Sequence, residues 1–140
     1  FKRATTSKRG GYYFHISPNE IMIGGGFWGP KKEDLKLIRE QIALDAEPLR
    51  DVLLSKNFKS SFVELLGERL KTAPKGFAKD HREIDLLRFK QFIVRKDFSS
   101  TKANSDQFSD ELVKYFEKMI PFFDVMSEYL TTDLNGESTI

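Results

Sequence analysis

Cysteine is absent from the 140-residue chain, which excludes disulfides, thiolate zinc sites, iron–sulfur clusters and thiol catalysis. Histidine is scarce: His15 and His81 are the only two. A histidine-rich metal site therefore cannot be built, and a two-histidine site would need both rings to converge with a carboxylate. No metal and no cofactor is expected. No apolar run approaches the roughly 20 residues that cross a bilayer, and the first residues lack a basic-then-apolar leader pattern. With neither a membrane nor an export signal, the chain is expected to be cytoplasmic. Serine-triad catalysis lacks its G-x-S-x-G elbow.

What the sequence does have is material for one core. Apolar residues make up 39% of the chain and include thirteen phenylalanines, enough for a single compact domain and too little for two. The net charge of +2 is unevenly spread. Residues 1–10 carry Lys2, Arg3, Lys8 and Arg9 with no acid, and residues 56–96 carry eleven bases against five acids. From residue 104 onward the balance reverses, with eight acids and only Lys114 and Lys118. A nucleic-acid surface is the weaker reading of the basic stretch, because its bases alternate with acids and no nucleic-acid motif accompanies them.

Two aromatic and β-branched segments, "GYYFHIS" (11–17) and "EIMIGGGFW" (20–28), flank a type I turn at Ser17, Pro18 and Asn19 and read as a β-hairpin. Tyr12, Phe14 and Ile16 share a strand face that Ile21 and Ile23 continue, and this face is assigned to the core. Pro30 suits a first helical position, so a helix is expected from about 30 to 44 with Leu35, Ile38 and Ile42 inward and Glu33 and Asp34 at its positive end. Pro48 begins a second helix burying Leu49, Val52 and Leu53. Asn57 is expected to cap a third that carries Phe58, Phe62 and Leu65 and stops at Gly67. Asp80 and Glu83 have capping-box spacing, which places a short helix start at His81 with Asp80 as cap. "FKQFIVRKDF" (89–98) alternates as a third strand with Phe92, Val94 and Phe98 inward. A long helix from about Asp106 to Leu130 repeats apolar residues at helical spacing, with Pro121 expected to kink or divide it. Residues 1–9 and 131–140 are expected to be flexible. The fold class is therefore α+β: an antiparallel sheet formed by the N-terminal hairpin and one later strand, packed against several helices including a long kinked C-terminal helix.

Gly24, Gly26 and Gly29 in "GGGFWGP" match the spacing of a phosphate-binding glycine loop. The context does not. The preceding strand belongs to a hairpin, no parallel strand returns after one helix, and Pro30 removes an amide that would face phosphate. No strand with a kinase-type lysine follows either. These glycines are read as backbone that permits close approach.

Together, "GGYYFHIS", "GGGFWGP", "IREQI", "LKTAPKGFAKDH" and "IDLLRFKQFIV" resemble the conserved hypothetical proteins grouped as domain of unknown function family 2461, from about Gly10 to Val94. The resemblance implies an aromatic, Arg-Asp-rich segment upstream that is not in this chain, whose first residue is Phe1. We therefore expect the chain to be the C-terminal part of a longer family domain, with an exposed apolar sheet edge on its N-terminal side. Arg82 stands where the family pattern has proline. The resemblance implies no activity, so candidate residues must rest on chemistry. The best reading is binding of a small anionic ligand by His81 with Lys90, Lys71 or Lys75, since helix N-termini and lysines both favour negative charge. His15 is a further candidate. Nucleic-acid association and a noncatalytic protein-interaction module are the alternatives.

Overall fold

The computed structural model describes residues 10–18, 20–99 and 108–139. The expectations for residues 1–9, for Asn19 in the turn and for a helix start at Asp106 lie outside them. The order of elements is β1 (Gly11–Ile16), β2 (Glu20–Phe27), α1 (Lys32–Leu44), α2 (Glu47–Leu54), α3 (Lys56–Phe62), α4 (Ile84–Leu87), β3 (Phe92–Ser99) and α5 (Phe108–Thr131). The fold is α+β. A three-stranded antiparallel sheet in the order β1-β2-β3 is built from the N-terminal hairpin and the late strand.

The sheet is covered on one face. Ile21 and Ile23 of β2 and Phe92 and Val94 of β3 are fully buried there, packed into one cluster with Met119, Phe122, Phe123 and Met126 of α5. A side chain at Gly25 would place its Cβ 2.6 Å from the Phe123 ring and 2.8 Å from the Met119 sulfur. The glycine run thus lets α5 lie close against β2, which is packing and not a phosphate cradle.

Several boundaries and contacts differ from the sequence reading. Of the inward set expected on β1, Tyr12 alone is half-buried; Phe14 and Ile16 are 36% and 58% exposed. The reason is that the α5 aromatics meet β1 at its Tyr12 end, where Phe116 and Phe123 lie 5.1 and 5.0 Å from the Tyr12 ring. Among the described residues β1 pairs with β2 alone, and "GYYFHI" contains no proline, Asp, Glu, Lys or Arg. α1 begins at Lys32 with Lys31 as its N-cap, so Pro30 precedes the helix. Ser55, not Asn57, caps α3, and α3 ends at Phe62, short of Leu65. Pro121 leaves α5 undivided across its 24 residues. The short helix α4 starts three residues after His81.

Buried and half-buried polar side chains tie the helix ends together. Arg39 donates from Nε to the Leu87 carbonyl at 2.9 Å and from Nη2 to the Phe89 carbonyl at 3.0 Å, supplying donors to the end of α4. Gln41, buried two residues later in "IREQI", donates to the Thr132 carbonyl at 2.7 Å and so caps the end of α5. Arg50 on α2 holds α4 through Glu83 at 3.1 Å and Asp85 at 2.7 Å. Partial burial pushes the Asp85 carboxyl upward, but the hydrogen bonds and charge of Arg50 outweigh it and leave the group below its ordinary value.

Candidate functional site

The residues singled out from the sequence are scattered. His15 is exposed on β1, with its ring stacked on Tyr13. His81 is half-buried in a turn: its Nδ1 accepts from the Glu83 backbone N–H at 3.0 Å, and its ring meets Phe77 edge-on. Because Nδ1 is an acceptor, the ring proton of the neutral imidazole sits on Nε2. Lys90 lies 3.6 Å from the Glu68 carboxylate, while Lys71 and Lys75 are exposed in the loop before His81. Among the described residues, no hydrogen bond or ion pair joins any of these five to another, and no group of three or more His, Asp and Glu could hold a metal.

A different set of side chains does converge. Between α2, α3 and α5 lies an open cleft of about 640 Å³, within the size range of small-molecule sites. Its walls follow from the local sequence. A single residue, Ser55, separates α2 from α3, and it caps both: Oγ donates to the Val52 carbonyl at 2.7 Å and accepts from the Phe58 N–H at 3.2 Å. This sharp junction points Lys56 and Asn57 into the cleft opposite α5, where Lys114 and Lys118 sit one helical turn apart. Asp51 and Glu117 line it as well, so three ammonium groups face two carboxylates. None of the three lysines has a carboxylate within 4 Å among the described residues. Pro121, also in the wall, has no N–H to offer the Glu117 carbonyl one turn earlier.

Tyr115 carries the positive surface onward. The Lys118 ammonium lies 4.9 Å and the Lys96 ammonium 5.3 Å from its ring centroid, distances at which a cation is drawn to an aromatic face. Lys96 belongs to a second, smaller cleft of about 320 Å³ between the end of α3 and β3, shared with Arg95, Glu64 and Asp97. The buried Ser61 hydroxyl in its wall has no hydrogen-bond partner among the described residues.

Sequence reasoning passed over Lys56, Lys114 and Lys118 because no motif encloses them. The available signal was compositional: Lys114 and Lys118 are the only bases in an otherwise acidic C-terminal segment, at a spacing that puts both on one helix face. Comparison with known proteins gives one family match, to the family described as conserved hypothetical protein (DUF2461), over residues 1–125. No curated protein and no solved structure matches the chain.

Proposed function

The chain belongs to the DUF2461 family of conserved hypothetical proteins, whose description assigns no activity, and from the chemistry of its own clefts we propose that it binds a small anionic ligand. What carries this reading is the convergence of Lys56, Lys114 and Lys118 on one cleft without carboxylate partners in ion-pair reach. Three unneutralised ammonium groups, one from α3 and two from α5, repel one another, and an anion between them removes that repulsion. The cleft's two carboxylates limit the ligand's charge. A phosphate or carboxylate group meets the lysines, while hydroxyl donors on the same molecule can reach the carboxylates. In this reading His81, Lys71, Lys75 and Lys90 are outside the site. The absence of cysteine is in keeping with a cytoplasmic setting for such a ligand.

Thermal unfolding in the presence of inorganic phosphate, phosphorylated sugars and di- and tricarboxylates tests the proposal. A ligand that binds only the folded state at 100 times its Kd stabilises by about 2.7 kcal/mol. The expected result is a saturable rise in Tm for at least one of these anions, lost in K114A/K118A and kept in K71A/K75A. The reverse pattern would return the site to the loop before His81, and no shift with any anion would end the proposal.

A further inference from the structure

Two positions turned toward the core carry polar groups where the periodicity calls for apolar ones. On β3 the buried series Phe92, Val94 and Phe98 is interrupted by Lys96, which pairs across the sheet with the fully buried Ile23 and so shares its face. Its side chain is half-buried, with the ammonium 5.3 Å from the Tyr115 ring centroid and 6.0 Å from that of Phe98. On α3 the inward set is Phe58, Ser61 and Phe62. Ser61 is only 3% exposed, and its hydroxyl has no hydrogen-bond partner among the described residues. A buried hydroxyl left unpaired destabilises a fold, and so does a cation drawn partly out of water.

Both groups line one cleft, that of about 320 Å³ between the end of α3 and β3. Val63 lines it too, at a positive φ of 69° and with its side chain 72% exposed. Three departures from local preference around a single cleft mark a place where the chain is shaped for something other than its own stability.

The charges of the cleft select what fits it. Arg95 and Asp97 neutralise each other at 2.9 Å. That leaves Lys96 and the exposed Glu64, one cation and one anion, neither with an ion-pair partner within 4 Å among the described residues. They are too far apart to pair with each other. A molecule that satisfies both brings a carboxylate to Lys96 and an ammonium to Glu64, and the Ser61 hydroxyl can donate to the same carboxylate. Phe62, Val63 and Leu66 make up the apolar part of the wall, which suits an apolar remainder.

We propose that the cleft between α3 and β3 binds an apolar α-amino acid in its zwitterionic form, with Lys96 and Ser61 at its carboxylate and Glu64 at its ammonium. The site is separate from the lysine cleft of α2, α3 and α5, and either proposal can fail without the other.

Isothermal titration calorimetry of the whole chain with L-leucine tests this, alongside N-acetyl-leucine, which lacks the cation, and leucinamide, which lacks the carboxylate. The expected result is saturable binding of leucine, with either derivative weaker by about tenfold or more. K96M and E64Q should each weaken the Kd for leucine about ten- to hundredfold, while K114A/K118A, in the other cleft, leaves it unchanged. S61A distinguishes a ligand contact from a packing role: it should raise the urea midpoint by removing an unpaired buried hydroxyl and still weaken leucine binding. Glu64 is exposed, so E64Q is compatible with folding whatever the fate of K96M, and circular dichroism checks both. No saturable heat with leucine, equal binding of N-acetyl-leucine or leucinamide, an unchanged Kd in E64Q, or loss of leucine binding in K114A/K118A would each overturn the proposal.

Discussion

Val63 is the only residue other than glycine with positive φ among those described, at φ 69° and ψ −62°. Its neighbours close a three-residue turn, with the Glu64 N–H donating to the Phe62 carbonyl at 2.8 Å. A branched side chain in this conformation stores about 1–3 kcal/mol, and at 72% exposure Val63 recovers little of it by burial. The turn ends α3 early and swings the chain so that Leu66 exchanges both backbone hydrogen bonds with Ile93 of β3, at 2.8 and 2.9 Å. Nothing in the side chains of "SSFVELLG" announces this. Apolar spacing alone carries the helix on to Leu65, and the bridge to β3 is made by backbone groups that any residue has. V63G should relieve the strain at the cost of the extra freedom of glycine when unfolded, about 0.5–1 kcal/mol. The expected net effect is stabilisation by about 1 kcal/mol, seen as a higher urea midpoint at unchanged m. A lower midpoint would show that Val63 is relaxed where it sits.

At the scale of elements, α4 shows how capping-box spacing can occur without a capping box. The spacing of Asp80 and Glu83 suggests a capping box, yet the helix begins at Ile84, and Asp80 is exposed. The side chain that accepts from the Glu83 N–H belongs to His81, whose own carbonyl accepts from the Ile84 N–H at 3.0 Å. The expected mutational pattern follows: D80A stays within about 0.5 kcal/mol of the parent, whereas H81A loses about 1 kcal/mol, as for a helix cap. Parallel denaturation curves decide it, and a larger loss in D80A would restore Asp80 as the cap. The hairpin, the late strand, the α1 stripe of Ile38 and Ile42 and the apolar face of α5 were legible because period-2 and period-3.6 patterns follow from burial on one side. Arg39 and Gln41 were not legible, because their partners are carbonyls at the ends of helices remote in sequence. The lysine cleft was hidden for a related reason: its cations come from α3 and α5, and only the packing of these helices brings them together.

Across the whole molecule, the far end of α5 is fastened to the junction of α1 and α2 by the Tyr129 hydroxyl, which donates to the Asp45 carbonyl at 2.9 Å. Burial is the main reason that the phenol is pushed from its ordinary 10.0 up to about 12. A phenol kept neutral by the fold contributes stability that is intact below pH 10 and is lost as pH rises toward 12. Y129F should therefore flatten the decline in unfolding free energy between pH 10 and pH 11.5, while losing about 1 kcal/mol at neutral pH with the hydrogen bond. An unchanged alkaline decline would show that another group titrates. The sheet itself has a consequence in time. β2 lies at its centre, yet one neighbour, β1, is adjacent in sequence, while the other, β3, follows only after α1, α2, α3 and α4. The hairpin can close within microseconds, but Ile21 and Ile23 have no lasting cover until β3 and α5 have been synthesised. At a ribosomal pace of about 5–20 residues per second, the nascent chain carries its central strand uncovered for several seconds, a window in which chaperones have a surface to hold.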